Sequence, residues 1–425
     1  MLIKCYLHYH SNNPIHCRFR PVGPFLRSCM STPKTSSIPG WLLLMGALSA
    51  LGPLAIDLYL PSFPFIAEGL ATSQGNVERT LASYLFGLSL AQLAYGPLAD
   101  RFGRRPPLIF GLVLFTIASI TCALTSDIEH LTAWRVVQAF GGAAGMVIPR
   151  AVIRDQMDTR EASKALSLLI LIMGVTPILG PLIGGQILPF VGWRGIFGLM
   201  AISGLVLLFA SWRHMRESLV PEKRIPLNVK TIGRNYWGLL GDRHFIFYAL
   251  AGSFGTAGLF TYISGAPRVL MDVYKVGPDS FGVLFGINAA ALITMSQLSA
   301  RLLNRHSPDK LLRFAQRAIV VISLIGVALT LTGILNLTLF MICLVGFMAG
   351  QGFILPNSAA MALNKQGRRL GVASALMGTL QMLCGTLAGL AVSAWQSETA
   401  LPMTGLLAVC AVLSWLFGRI ALTKA

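Results

Sequence analysis

Long uncharged runs make up most of the chain, and short polar stretches separate them. Residues 81–98 and 106–125 contain no charged side chain, and only a short basic stretch lies between them. A helix needs about 20 such residues to cross the roughly 30 Å hydrocarbon core of a bilayer. This pattern, repeated along the chain, predicts an all-α membrane protein with twelve transmembrane helices, near 41–66, 77–98, 106–125, 130–150, 164–188, 195–212, 245–267, 280–303, 312–333, 336–361, 369–395 and 402–420.

The basic residues of the chain lie mainly on one side of this arrangement. Of the 34 Lys and Arg residues, 29 fall in the N-terminal tail, in alternate loops and at the C-terminus. Cytoplasmic loops retain such an excess, so both termini are predicted to be cytoplasmic. The formal net charge of +18 is therefore interpreted as a topology signal, and nucleic-acid binding is not expected.

Composition agrees with a multi-pass membrane protein and offers no cofactor site. Apolar residues make up 54% of the chain and charged residues 12%, about half of the charged share in soluble proteins. The seven cysteines have no metal-ligand spacing, and we expect neither a metal nor a cofactor.

The predicted helices divide into two groups of six. When residues 139–149 are aligned with 346–356, Phe140, Gly145 and Pro149 coincide with Phe347, Gly352 and Pro356. Two parallel repeats of this kind are related by an axis along the membrane normal. The predicted parts are a disordered basic tail (1–38), an N-terminal six-helix domain (39–212), a cytoplasmic connector (213–243) and a C-terminal six-helix domain (244–425).

The N-terminal tail differs in composition from the rest of the chain. It contains basic residues and no acidic residue within 1–38. This composition is compatible with a transit peptide, with a disordered tail, or with a start codon assigned too early. We favour Met30 as the true start, and whether residues 1–29 belong to the mature protein stays open.

Two charged residues inside the predicted spans indicate function. Asp57 lies in the first helix and Arg135 in the fourth, and the topology places both in the outer half of the membrane. Charges in hydrocarbon are costly unless they face a partner or a wet cavity. The pair could be a buried ion pair that holds two helices together. We favour proton coupling, in which movement of Arg135 relative to Asp57 changes the proton affinity of the carboxyl group.

Four segments of the chain resemble those of drug:proton antiporters of the major facilitator superfamily (MFS), and within them the Bcr/CflA-type efflux transporters. The resemblance covers about residues 40–420. It rests on the decapeptide 96–105 (Gly-Pro-Leu-Ala-Asp-Arg-Phe-Gly-Arg-Arg), on Asp57-x-Tyr-Leu-Pro61, on Arg135-x-x-Gln138 with Gly141 and Gly142, and on the Gly- and Pro-rich stretch 174–185. Ala139 stands where the family commonly has Gly, which is a mild departure.

The resemblance implies roles for two of these segments. A conformational latch would comprise Gly96, Asp100, Arg101, Gly103, Arg104, Arg105 and Asp155. In it, Asp100 would contact the start of the eleventh helix near Gly371, and Arg104 or Arg105 would pair with Asp155. The antiporter motif would comprise Pro177, Gly180, Pro181, Gly184 and Gly185, with the glycines forming a close-packing face and the prolines kinking the helix.

A drug-binding pocket in this fold would be lined by aromatic and uncharged polar side chains. The candidate substrate-binding residues are Tyr84, Gln92, Tyr95, Gln138, Tyr262, Gln351, Asn357 and Gln381, together with Asn288. Each of these residues could instead make an interhelical hydrogen bond.

The predicted function is proton-driven efflux of drugs or other amphiphilic small organic compounds by alternating access, in a bacterial inner membrane and as a monomer. The alternative is proton-coupled uptake of a metabolite such as a nucleoside or a sugar, and a more remote one is a non-transporting receptor or scaffold. No phosphate-loop, zinc-protease or serine-hydrolase motif occurs, so the protein is not expected to be an enzyme. The identity of the substrate and the proton stoichiometry stay open.

Overall fold

The computed structural model describes residues 39–224, 229–366, 370–395 and 397–423. The predicted tail (1–38), with the start assigned to Met30, lies outside the described residues. The described part contains thirteen α-helices and no strand: α1 Gly40–Asp57, α2 Phe63–Gly69, α3 Gln74–Phe102, α4 Arg105–Leu124, α5 Ile128–Gln156, α6 Thr159–His214, α7 Val229–Leu240, α8 Arg243–Pro267, α9 Pro278–Leu302, α10 Pro308–Leu331, α11 Leu337–Leu363, α12 Leu370–Ala394 and α13 Leu401–Thr423.

These helices supply the twelve predicted membrane crossings. Within the described residues, ten stretches are long and apolar enough to span a bilayer. One of them, Lys164–His214 in α6, has 51 residues, which at 1.5 Å per residue is about 77 Å and enough for two crossings. The more polar α3 has 29 residues and supplies the remaining crossing. The all-α membrane fold predicted from the hydrophobic pattern is confirmed.

The first crossing is broken where the sequence contains a proline. The helix α1 ends at Asp57, a short 3₁₀ turn follows at Leu60–Ser62, and α2 continues the crossing. Pro61 has no backbone N–H, so it cannot donate the hydrogen bond that the Asp57 carbonyl would accept in a continuous helix. The break therefore places the Asp57 side chain at a helix end inside the membrane.

Two features of the helices were not predicted. The fifth and sixth crossings are two helical segments of α6 that meet at Gly192, whose backbone is non-helical, with φ 65° and ψ 175°. A positive φ of this kind costs glycine little, so one residue turns the chain where a loop was expected. The connector also contains a helix, α7, in which Leu239 is buried and Trp237 is 78% exposed.

The two halves of the bundle contact each other along two helix pairs. We call α1–α6 the N-half and α8–α13 the C-half; α3 packs against α12, and α6 packs against α9. The end of the bundle that carries Arg104, Asp155 and Glu217 is called the basic end. The opposite end, where α3 and α5 begin and α8 finishes, is called the far end.

Candidate functional site

Asp57 is buried at the boundary between the two halves. Its side chain is 2% exposed, and no described residue lies within hydrogen-bond or ion-pair distance of its carboxyl group. The carboxyl group interacts electrostatically with the hydroxyls of Tyr84 in the N-half and Tyr262 in the C-half. A carboxyl group without a partner at such a boundary is suited to bind a proton, because the neutral form avoids the cost of a buried charge.

The glycines of the predicted antiporter motif form a close-packing face against the break after α1. A Cβ atom on Gly180 would lie 2.6 Å from the Asp57 Cβ atom, and one on Gly184 would collide with the backbone of Leu58. A Cβ atom on Gly185 would lie 2.5 Å from the Pro278 carbonyl oxygen of α9. The motif therefore lies between α1 and the C-half, and its glycines permit close approach on both sides.

The prolines of this motif do not break α6. Pro177 and Pro181 lie inside the helix, and the backbone dihedral angles stay helical at both. Pro181 instead contributes its carbonyl oxygen to the contact with α9, 2.9 Å from the Cβ position of Gly282. The helix therefore continues through both prolines, and neither of them interrupts it.

Arg135 is fully buried inside the N-half. Its guanidinium group donates to the Gln138 Oε1 atom at 2.5 Å and to the Ala55 carbonyl oxygen at 3.1 Å. It also lies over the rings of Tyr59 and Tyr84, 4.3 and 4.2 Å from their centroids. Carbonyl, amide and aromatic groups therefore stabilise this charge.

The structure does not pair Arg135 with Asp57. No carboxylate of the described residues lies within 4.0 Å of the Arg135 guanidinium group. The interpretation of the two residues as a buried ion pair is therefore wrong for this conformation. The physical reason is the aromatic pair Tyr59 and Tyr84, whose rings take the place beside the cation that a carboxylate would occupy.

Three predicted substrate-binding residues are engaged inside the N-half. Tyr84 donates its hydroxyl to the Gly52 carbonyl oxygen at 3.1 Å. Gln138 holds Arg135 and donates to the Ser119 hydroxyl at 2.7 Å. Tyr95 is 3% exposed and packs beside Gly111. Tyr84 and Gln138 therefore support the Arg135 site in this conformation, whereas Tyr95 makes a packing contact.

Other candidates keep polar atoms without a partner. The Tyr262 hydroxyl, the Asn288 Oδ1 atom, the Asn357 Oδ1 atom and both polar atoms of Gln351 are buried without a hydrogen bond to the described residues. Tyr262 also stacks on Phe285 at 4.9 Å between ring centroids. Buried polar groups normally have partners, and exceptions call for an explanation such as a missing ligand or water.

Gln92 and Gln381 lie on α3 and α12, two helices that pack against each other across the boundary between the halves. Gln92 on α3 is half-buried and contacts the Gly378 position of α12, with its Oε1 atom 2.5 Å from a Cβ atom built there. Gln381 on α12 is also half-buried and approaches Gly252 of α8. Both residues therefore lie in the interior, beside the boundary between the halves.

The decapeptide at the basic end forms a network around Arg104. The Arg104 side chain donates from Nε to the Asp155 Oδ2 atom at 2.9 Å and from a terminal nitrogen to the Asp100 Oδ1 atom at 2.6 Å. The Arg105 side chain donates instead to the Trp212 carbonyl oxygen at 2.6 Å. Of the two candidates for the pair with Asp155, Arg104 is the one that makes it.

Glu217 in the connector is a member of this network that the sequence analysis missed. Its carboxylate accepts from the backbone N–H groups of Arg104 at 2.8 Å and Arg105 at 3.1 Å. Although partial burial opposes this, these hydrogen bonds hold the pKa of Glu217 below its usual value. Gly103 has φ 93°, and a Cβ atom there would lie 2.7 Å from the Glu217 Cδ atom. Glycine is therefore required both by the backbone and by the approach of Glu217.

The expected contact of Asp100 with the eleventh helix is not seen among the residues that the structure describes. Asp100 accepts from Arg104, and its side chain is 46% exposed. Nothing among the described residues lies within 4 Å of a Cβ atom built on Gly371 near the start of α12. Of the remaining predicted latch residues, Gly96 has no close neighbour and Arg101 is exposed beside Phe102.

Comparisons with known proteins agree with this arrangement. The chain is 40% identical over 375 residues to an uncharacterized MFS-type transporter of Bacillus subtilis (strain 168), covering 87% of this chain and 92% of that protein. It is 32% identical over 376 residues to a bicyclomycin resistance protein homolog of Haemophilus influenzae, covering 88% and 94%. The crystal structure of a D-xylose–proton symporter matches with a TM-score of 0.70 at 15% identity, covering 89% of this chain and 96% of that one.

The family model gives the same result over most of the chain. The model of the Major Facilitator Superfamily matches residues 43–389. This range includes the break after Asp57, the Arg135 site, the glycine face of α6 and the network around Arg104. The chain belongs to the Major Facilitator Superfamily of transporters.

Proposed function

We propose that the protein exports drugs or other amphiphilic organic compounds in exchange for protons, by alternating access across a bacterial inner membrane. A relative at 32% identity is named for bicyclomycin resistance, which supports export of antibiotics as the direction of transport. In this proposal the protein works as a monomer, is not an enzyme, and has its basic end in the cytoplasm. Uptake of a nucleoside or a sugar is the competing outcome of the tests below.

Asp57 is the observation that carries this proposal. It is buried without a partner, and it lies where the glycine face of α6 meets the broken first crossing. The boundary between the halves opens and closes in alternating access, so the hydration of this carboxyl group changes with the conformation. A change in hydration alters the proton affinity of a carboxyl group, which links proton binding to the cycle.

The contacts between the halves support a conformation that is closed at the far end. The Thr379 hydroxyl of α12 donates to the Ser89 carbonyl oxygen of α3 at 3.3 Å. Further outward, a Cβ atom on Gly389 would lie 3.3 Å from the Ala82 Cβ atom. At the basic end, the described residues show no corresponding contact of Asp100 with α12. With the basic end in the cytoplasm, this is an inward-facing arrangement.

A transport assay in inside-out membrane vesicles tests the proposed function. We expect a panel of amphiphilic antibiotics to include a compound that accumulates in vesicles energised with a proton gradient. This accumulation should collapse when a protonophore is added. Vesicles from cells without the protein are the control. Accumulation that ignores the protonophore, or loss of an uptake substrate from energised vesicles, would contradict proton-driven export.

The pair between Arg104 and Asp155 is expected to be coupled in transport. Arg104→Asp and Asp155→Arg should each lower the transport rate, and the two changes together should restore part of it. Exposed pairs contribute only about 0.2–1 kcal/mol, but the Arg104 side chain is 8% exposed. Recovery should be partial, because Asp100 also accepts from Arg104 and would repel an aspartate at that position.

The matched control for this charge swap is the neighbouring arginine. The Arg105 side chain donates to the Trp212 carbonyl oxygen rather than to Asp155. The combination of Arg105→Asp with Asp155→Arg should therefore show no recovery of transport at equal membrane yield. Strictly additive losses in both combinations would indicate that Arg104 and Asp155 do not act as a pair.

A further inference from the structure

Glu78 is a second buried carboxyl group that the proposed mechanism does not use. It lies in the first turns of α3 at the far end and is 0% exposed. Both of its carboxyl oxygens are buried without a hydrogen-bond partner among the described residues. The neighbouring Arg79 forms an ion pair with Glu129 instead. Nothing on its own helix therefore neutralises a negative charge on Glu78.

The position of Glu78 along α3 places it where the two halves meet. Ala82 lies four residues later on the same face of the helix, and it contacts Gly389 of α12. The π-helical segment Arg268–Val273 of the C-half continues α8 at this end of the bundle. Arg268 and Asp272 of this segment both act on Glu78 electrostatically, with opposite effects.

The other charged groups around the start of α3 leave Glu78 without a partner. No charged residue occurs in α12, which packs along α3. Arg268 is not within the 4.0 Å of an ion pair with Glu78. The charged residues and histidines near the far end on α3 and on the elements packed against it are Glu68 on α2, Arg79 on α3, Glu129, His130 and Arg135 on α5, and Arg268 and Asp272 after α8. The other titratable groups there are Tyr59 before α2, Tyr84 on α3, Cys122 on α4 and Tyr262 on α8.

An ionised carboxylate is poorly tolerated in such a place. Burial without hydrogen bonds disfavours the charged form strongly, and the group avoids the penalty by taking up a proton. When the halves separate at the far end, water reaches the carboxyl group and the ionised form becomes stable. The closed far end therefore binds this proton more tightly than the open far end, and by linkage the proton stabilises the closed form.

We propose that Glu78 is a second proton-binding residue, which closes the far end when it is protonated and releases it when it is ionised. The inference rests on the proton coupling of the proposed function. In an exporter with its far end outside, a proton taken from the outside would favour the inward-facing form, and its loss would favour reopening. The expected direction is opening of the far end as pH rises.

Distance measurements between spin labels on the full-length protein in lipid nanodiscs test this inference. Ser126 in the N-half and Thr332 in the C-half are exposed residues near the far end, and cysteines there can carry the labels after the seven native cysteines are replaced by alanine. We expect the distance to lengthen with rising pH in the otherwise unchanged protein. E78Q, which resembles the protonated form, should keep the short distance throughout, and E78D should keep the pH response.

Comparison with Asp57→Asn separates the two carboxyl groups. We expect the pH response at the far end to persist in Asp57→Asn and to be lost in E78Q. Retention of the full response in E78Q, or absence of any response in the labelled parent protein, would overturn the role of Glu78. If the response behaves as expected but vesicle transport ignores the proton gradient, the proposed function is at fault and the Glu78 switch stands.

Discussion

Replacing Asp57 by asparagine is expected to abolish export driven by a proton gradient while leaving the protein folded. The amide keeps the size of the side chain and its capacity for hydrogen bonds, but it cannot bind and release a proton at neutral pH. One proton moved across 100 mV contributes about 2.3 kcal/mol, which corresponds to about a 50-fold concentration ratio. Accumulation in energised vesicles should fall by about this factor for each proton that is no longer coupled.

The measurement compares driven accumulation with substrate exchange. Exchange of labelled for unlabelled substrate across the membrane needs no net proton movement, so Asp57→Asn should retain it. Asp279→Asn is the matched control, because Asp279 is exposed at the start of α9. Full driven accumulation by Asp57→Asn at normal expression would show that another group carries the coupling proton.

Replacing Arg135 by lysine is expected to lower both stability and transport, although the charge is kept. Lysine lacks the planar fork that donates to Gln138 and to the Ala55 carbonyl oxygen while lying over Tyr59 and Tyr84. A desolvated cation–π contact alone is worth about 2 kcal/mol, and a guanidinium group is not replaced by an ammonium group at a stacked site. The apparent melting temperature in detergent and the transport rate should both drop clearly.

The control for this change is a lysine substitution at an exposed arginine. Arg305 is exposed in the turn after α9, so Arg305→Lys should melt and transport like the unchanged protein. If Arg135→Lys also behaved like the unchanged protein, the positive charge alone would matter. The aromatic and hydrogen-bonding contacts of the guanidinium group would then have no role.

The positions of the crossings could be predicted because the pattern that defines them is local. An apolar run of sufficient length between charged loops determines a membrane helix without knowledge of its neighbours. The turn between the two segments of α6 at the single residue Gly192 could not be predicted in the same way. Whether a chain turns at one glycine or through a loop depends on how the two flanking helices pack.

The candidate site was predicted only where a charge stood inside an apolar run. Asp57 and Arg135 were found by this signal, but the aromatic rings that lie beside Arg135 were not. Glu78 was missed because a charge at the end of a run normally faces the polar surface of the membrane. Its surroundings include Arg268 and Asp272 of the C-half, which lie far away in the sequence.

Polar residues inside the spans gave the least reliable predictions. Gln138 and Gln351 look alike in the sequence, because each is a glutamine in the fourth crossing of its half. In the structure, the first holds Arg135 and the second has no hydrogen bond to the described residues. Only the positions of the neighbouring helices distinguish a structural amide from one that is free to bind a ligand.

Every contact described for Arg135 lies within the N-half, and this restricts how the cation can act on Asp57. If the halves rock against each other, we expect Ala55, Tyr59, Tyr84 and Gln138 to move together with Arg135, because they hold it by direct contacts. The position of Arg135 relative to Asp57 would then stay the same in every stage of transport. The variable part is the local dielectric response, which rises when solvent enters between the halves. Arg135 would therefore shift the proton affinity of Asp57 by a constant amount, and the entry of solvent would change that affinity during the cycle.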